Sequence, residues 1–577
     1  VFSGGHATGL VYSLLHLWGF DVSVNDMKNF RQSGSKTPGH PEYGHTHGIE
    51  ITTGPLGQGI ANAVGFAMAG KYAQNLLGKD VINHKVYCLC GDGDLQEGIS
   101  YEATATAGHL KLDNLVIIYD SNSITIEGDT SLAWSENVKK RFQAIDFEVI
   151  EIDGHNFDQI DKAFVQAKNS TMPVLIIAKT VIAKGAVTLE GSHHSHGAPL
   201  GVDEIKQAKI KAGFNPDVDF EVSADVKGAF DKLIVGSTMQ NSWNESLSKE
   251  TKAKISELQN PDFDSIVYPT FEAGSSVATR DSNHKILNAI ASKIPSFLGG
   301  SADLAPSNKT ELKDMGDFPN GRNIHFGIKE HAMAAIVNAM NLYGLFRVYS
   351  ATFFVFSDYL KPSARIAALA GIPQHFIWTH DSIGVGEDGP THQPIEHLSQ
   401  FRALPNFYTF RPADATENVE AWKIALKMNA PTAFVCSRQG LKVLKDDKAF
   451  GDVCNGGYLL TKRENATITI MASGSEVNLA LQTACALEKE GILANIVSVP
   501  CFDLLLEQDE TYINKIIDKK TRVYAVEAAR ALEYYKYADV VFGMDSFGAS
   551  GPADKLFDEF GFTVDKLKTK IIEDLKK

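Results

Sequence analysis

The chain has 577 residues, too many for one hydrophobic core, and length alone points to about three or four domains. Its 44% hydrophobic and 22% charged residues are ordinary for a globular protein, and no run approaches the ~18 uninterrupted apolar residues of a membrane span. A net charge of −15 argues against a nucleic-acid partner, and any anionic substrate must then be met by a local cluster of donors.

In chain order, the opening VFSGGHATG reads like the middle of a domain, with neither an initiator Met nor a signal pattern. Residues 86–90 and 115–119 are apolar runs, each ending in a polar turn, with a helical stretch over 100–109 between them. Residues 174–178 read as a further strand. From about 205 to 275 the chain turns polar and rich in Lys, Asp and Glu, which predicts a helical tail and linker. A second α/β unit follows, in which strand 376–378 exits into THDSIGVGEDGPTHQP. A third opens with ATITIMASGSEV, a strand, a turn and a helix start, followed by strand 494–499. Strands alternating with helices predict three consecutive α/β domains with mainly parallel sheets, bounded at 1–260, 261–450 and 451–577. The six cysteines form no C-x-x-C pair and mostly sit in apolar runs, which predicts reduced thiols and a cytoplasmic protein.

The stretch GDGDLQEG at 91–98 crowds acidic groups into a glycine-punctuated turn at a strand exit. It does not fit a calcium loop, because Gln96 and Glu97 stand where that loop needs a ligand and a glycine. A solvated turn is the plain alternative. The next strand, however, exits into Asp120-Ser121-Asn122-Ser123-Ile124, and Asp92 and Asn122 at neighbouring exits can offer two hard oxygens to one cation.

GDG, then 28 residues, then Asn122 resembles the thiamine-diphosphate signature. Further segments are more selective: SKTPGHPEYGHTHGIEITTGPLGQGIANAVGFAMA (35–69), HGAPLG (196–201), SADLAPSN (301–308), HFGIKEHAM (325–333), ATFFVFSDY (351–359) and THDSIGVGEDGPTHQP (379–394). Together they are similar to the transketolase family along essentially the whole chain. The departure is at the front, where the family's SGHPG-type segment has no counterpart before Val1. Residues 183–195 follow a less common wording of the family's mobile loop.

The resemblance implies a thiamine-diphosphate-binding fold and a homodimer, with each cofactor between the first domain of one subunit and the second domain of its partner. Asp92, Asn122 and the Ile124 carbonyl would hold Mg2+ or Ca2+, which grips the diphosphate, with Gly93 giving a backbone amide. His6, His196, Gly54, Pro55, Leu56 and Asp303 would complete the cofactor pocket, and Phe353, Phe356 and Tyr359 would wall the aminopyrimidine. Without the resemblance, aromatics at i, i+3 and i+6 read as a core-facing helical stripe. Glu330 would hydrogen-bond the pyrimidine nitrogen; sequestered among apolar neighbours, such a carboxyl is expected to have a raised pKa. Glu97 would share a proton with it across the subunit interface.

Transfer of a two-carbon ketol unit between sugar phosphates moves protons at hydroxyl and carbonyl oxygens, work suited to histidines. By resemblance His6, His40, His196 and His392 serve the reacting carbons, and His40 binds the donor's first hydroxyls. Asp388 would read the C2 hydroxyl. Arg280 and Arg438, with Ser307 and His380, would clamp the phosphate through planar guanidinium forks. The nearest rivals are a dihydroxyacetone synthase and a deoxyxylulose-phosphate synthase, and the wording GEDGPTHQPIEHL favours transketolase over the latter. A non-catalytic scaffold and a metal-only aldolase are the readings from other classes.

Overall fold

Valine- and isoleucine-rich runs build the sheets, as expected of strands buried on both faces. The computed structural model describes residues 1–233, 235–445 and 448–577, which fall into two units. The first unit is 1–256 with 335–344, and the second is 257–334 with 345–577. Among the described residues no helix is long and apolar enough to cross a membrane.

In the first unit, β1 (Val86–Gly91), β2 (Leu115–Ser121), β3 (Glu148–Asp153) and β4 (Val174–Lys179) form a parallel sheet in the order β1-β2-β4-β3. The register Gly91↔Asp120 brings the exits of β1 and β2 side by side. Helix α1 (Gln58–Leu77) packs on β1, and fourteen of its residues are buried. The polar region that follows holds the helices Val202–Lys211, Ala224–Leu233, Gly236–Ser246 and Lys249–Gln259, and it is tied back by Trp243 Nε1 donating to the Val81 carbonyl at 2.9 Å and Lys254 Nζ donating to that of Leu76 at 2.7 Å.

The second unit holds two larger sheets. The first is parallel, built from β6 (Phe297–Ser301), β7 (Asn323–His325), β8 (Arg347–Phe353), β9 (His375–Thr379), β10 (Tyr408–Phe410) and β11 (Thr432–Cys436) in the order β10-β11-β9-β8-β6-β7. A short antiparallel pair, β5 (Ser276–Ala278) with β12 (Gly440–Lys442), sits beside it in sequence. The last sheet has β14 (Ile468–Ala472), β15 (Ala494–Ser498), β16 (Arg522–Val526) and β17 (Val540–Phe542) in parallel, with β13 (Tyr458–Thr461) antiparallel at one edge. All six cysteines are free; Cys454 and Cys485 are exposed and the other four buried.

Candidate active site

The acidic stretch after β1 is not an open turn: Asp92–Gln96 forms a one-turn helix, α2, preceding α3 (Gly98–His109). Asp94 explains the difference. Its side chain is buried and accepts three hydrogen bonds, from the Gly91 amide at 3.0 Å, the Gly57 amide at 2.8 Å and the Ser3 hydroxyl at 2.7 Å. One carboxylate thus fastens the segment bearing His6, the turn bearing Gly54–Leu56 and the exit of β1. Sequence reasoning left Asp94 without a role, since its partners are 91 and 37 residues away. Asp94→Ala would strand three buried donors and is expected to cost on the order of 3 kcal/mol or more in a urea denaturation series. A loss below about 1 kcal/mol would mean the three segments hold each other without it.

Asp92 is buried at the mouth of β1, where it takes the Tyr119 hydroxyl and the Ser123 amide, the latter at 3.1 Å. Through the Ser123 amide this carboxylate ties the exit of β2 to that of β1. Burial raises the carboxyl's pKa, partly offset by those donors. Asn122 Oδ1 accepts the Ile124 amide at 2.9 Å, a turn that places its amide oxygen beside the Ile124 backbone. A carboxylate, an amide oxygen and a carbonyl are the kinds of oxygen that Mg2+ or Ca2+ takes, and a cation bound to Asp92 would offset its burial cost.

Three predicted histidines meet next to this point. The His6 and His196 ring centroids are 4.9 Å apart, and those of His6 and His40 are 6.4 Å apart. Each has its pKa lowered, first by burial; His6 is lowered further by His196, and His196 is pulled back up by Asp92. Near neutral pH all three rings are therefore uncharged and able to accept a proton. Gly54, with φ +132°, lies so close that an added Cβ would sit 3.1 Å from His40 Cγ, so the TTGPLG turn needs glycine there. Gly93 presses on Leu56 in the same way, with an added Cβ at 2.9 Å from Leu56 Cδ1. Glu97, after α2, is exposed on the chain.

In the second unit, Glu330 opens α4 (Glu330–Leu342) and is 9% exposed, with the Thr352 hydroxyl 3.4 Å from its Oε1. The aromatic trio is not a helical core stripe. Phe353 ends β8, Phe356 lies in a 3-10 turn and Tyr359 stands 66% exposed in α5 (Ser357–Ala370). The rings of Phe353 and Phe356 stack at 5.9 Å and 9°, His380 lies 3.8 Å from Phe353, and His392 meets Phe356 edge-on at 5.4 Å. Asp303 lines a cavity of about 300 Å3 at the ends of β6 and β7. A larger cavity, about 640 Å3, lies against residues 263–273 and contains none of the predicted residues.

The predicted arginines form a positive cluster. Arg280 Nη1 donates to the Ser307 carbonyl at 3.0 Å, while its buried Nε meets no partner among the described residues. Burial and then Arg438 lower the Arg280 pKa, against Asp281. His380, at φ +66°, is pushed down to about 3 by burial and by Arg280, Arg438 and His392. Its Nδ1 lies 2.8 Å from the Thr379 hydroxyl, which itself donates to Asn308 Oδ1 at 2.7 Å, so the neutral ring is Nδ1–H and Nε2 carries the free lone pair. Asp388 is exposed in the loop between Gly386 and Gly389. Elsewhere Asp358, Glu396 and His397 come together, with the two ring nitrogens of His397 lying 3.2 and 3.7 Å from Asp358 and Glu396, and none of the three is a predicted site residue.

Three family models account for nearly the whole chain: the transketolase thiamine diphosphate binding domain over residues 1–264, the transketolase pyrimidine binding domain over 275–443 and the transketolase-like C-terminal domain over 456–563. The chain is 46% identical to the transketolase of Halalkalibacterium halodurans, over 98% of this chain and 89% of that protein. The chain belongs to the transketolase family. The transketolase of Bacillus subtilis is 44% identical over 99% of this chain and 90% of its own length. Among solved structures, transketolase from Campylobacter jejuni matches with a TM-score of 0.97 at 59% identity, over 99% of this chain and 90% of that one. A Pichia stipitis transketolase solved as a complex with sedoheptulose 7-phosphate matches with a TM-score of 0.95 at 38% identity, over 99% and 89%. The transketolase reaction is the reversible transfer of a two-carbon ketol unit, and this chain is a thiamine-diphosphate-dependent transferase of that kind.

Proposed function

We propose that this transketolase works as a homodimer in the cytoplasm, moving the ketol unit from xylulose 5-phosphate to ribose 5-phosphate or erythrose 4-phosphate in the pentose phosphate pathway. Its domains are taken as 1–260, 261–450 and 451–577. The observation that supports the reading is the contact of Asp92, at the exit of β1, with the Ser123 amide just beyond the exit of β2. Asp92, Asn122 and the Ile124 carbonyl would hold Mg2+ or Ca2+ against the diphosphate, with the Gly93 amide, His6, His196 and the turn Gly54–Leu56 beside it. Bound there, thiamine diphosphate supplies the carbon nucleophile and the electron sink for breaking and remaking the carbon–carbon bond.

Glu330 would hydrogen-bond the aminopyrimidine, with Asp303 and the stacked Phe353 and Phe356 beside Tyr359 holding its ring. Glu97 would share a proton with Glu330 across the subunit interface. His40 and His196 would orient donor hydroxyls, His392 would pass protons at the reacting oxygens and Asp388 would read the C2 configuration. The neutral rings of His40 and His196 can each take a proton and give it back without leaving the working pH range. Arg280, Arg438, Ser307 and His380 would receive the phosphate, whose negative charge favours the doubly donating form of His380.

The test is a two-substrate assay with xylulose 5-phosphate and ribose 5-phosphate, run with and without thiamine diphosphate and Mg2+, with melting temperature read in parallel. Transfer only in the loaded protein, with a melting rise of several degrees on loading, is expected. Transfer that persists without thiamine would overturn the reading. Formaldehyde used as readily as ribose 5-phosphate would instead favour a dihydroxyacetone synthase.

A further inference from the structure

The loop 379–394, which carries His380, Asp388 and His392, is gripped at two places, by Arg411 just after β10 and by residues 549–550 of the C-terminal domain. At its base, Asp381 Oδ2 accepts Arg411 Nε at 3.1 Å and Nη2 at 2.9 Å. The same guanidinium donates through Nη1 to Glu476, the first residue of helix α6 (Glu476–Glu488), and lies 3.6 Å from Glu527 beyond β16. Glu527 in turn takes Arg402 Nη1 at 2.7 Å and Nη2 at 2.9 Å. The side chains of Asp381, Arg402, Arg411, Glu476 and Glu527 are all 2% exposed or less. Gly474, with φ +55°, is required here, since a Cβ would fall 2.7 Å from Arg411 Cζ. At the loop's far end Gln393 Nε2 donates to the carbonyls of Gly386 and Ala549, both at 3.0 Å, and a Cβ on Gly389 would strike Ser550 Oγ.

A buried ion network of this kind adds little net stability, because desolvation of five charges offsets their attraction. What it does impose is geometry: the fork of Arg411 fixes Asp381, and Asp381 is bonded to His380 through the chain. We propose that the Arg411–Asp381 pair, anchored by Glu476 and Glu527 of the C-terminal domain, is a positioning device that sets His380 and the loop behind it for the substrate's phosphate end. The proposal rests on the phosphate seat assigned above to Arg280, Arg438 and His380. It gives the C-terminal domain a part in acceptor selection, although none of these five side chains touches substrate.

The test compares Asp381→Asn and Glu527→Gln with Arg280→Ala, each as the thiamine-diphosphate- and Mg2+-loaded protein, on ribose 5-phosphate and on unphosphorylated glycolaldehyde. Both carboxamide variants keep side-chain size. For Asp381→Asn, and more weakly for Glu527→Gln, KM for ribose 5-phosphate should rise by about tenfold, with glycolaldehyde KM and cofactor affinity changed by less than about twofold. Equal losses on both acceptors, or a lowered melting temperature with unchanged KM values, would overturn the positioning role and leave the network as a structural tie. If Arg280→Ala also fails to separate the two acceptors, the phosphate seat itself is wrong; if it separates them and Asp381→Asn does not, only the positioning proposal falls.

Discussion

Glu330→Gln is expected to leave a folded, cofactor-binding protein whose ketol transfer falls by on the order of a thousandfold or more. The substitution is isosteric, and Glu330 heads α4 with the Thr352 hydroxyl at 3.4 Å, a contact that glutamine's carbonyl oxygen can keep. Stability should therefore change little, apart from losing a negative charge at a helix start, worth about 0.3–1 kcal/mol. Chemistry should change a great deal. A carboxyl can stand on either side of a shared proton, whereas an amide cannot, so the proposed proton sharing between Glu330 and the aminopyrimidine would be lost. Side-by-side measurement of thiamine diphosphate affinity and transfer rate separates the two effects. Activity within about tenfold of the parent would remove Glu330 from the mechanism.

The sequence made the strands flanking Asp92 and Asn122 readable because parallel strands are apolar runs that end abruptly where the chain meets solvent. Asp92 and Asn122 were found by spacing, which is local information carried by one β-α-β step. Asp94 was not found, because a third acid in GDGD reads as a solvated turn until Ser3 and Gly57 arrive from elsewhere in the chain. The pairing of Asp381 with Arg411 and Glu476 was hidden for the same reason, its members being 30 and 65 residues from Arg411. The spacing of Phe353, Phe356 and Tyr359 fits a helix, yet the apolar run of β8 extends through Phe353 and the helix starts only at Ser357. The left-handed backbone at His380 is likewise invisible in composition, since it is imposed by what holds the loop.

Arg280→Ala should cut kcat/KM for phosphorylated acceptors by on the order of a hundredfold, about 2.7 kcal/mol, and for unphosphorylated ones by less than about threefold. The reason lies in how its charge is placed. Its Nη1 is engaged by the Ser307 carbonyl, its Nε is buried without a partner among the described residues, and Arg438 and His380 are like-charged or chargeable neighbours. Asp281 offsets only part of this burial cost, and a dianion at Nε would offset more of it. The pH dependence follows with a definite sign. Between about 3 and the ordinary 6.5, the unfolded chain binds a proton at His380 that the folded chain refuses, so this group makes stability rise with pH across that window. Removing Arg280 withdraws one of the charges that hold His380 down, so the variant should lose less stability than the parent as the pH falls from about 5 toward 3, where the folded ring begins to take its proton. A variant that selects poorly against the missing phosphate yet melts no lower, and resists acid better, is the combined result expected. Equal losses on both acceptors together with a lower melting temperature would make Arg280 a packing residue.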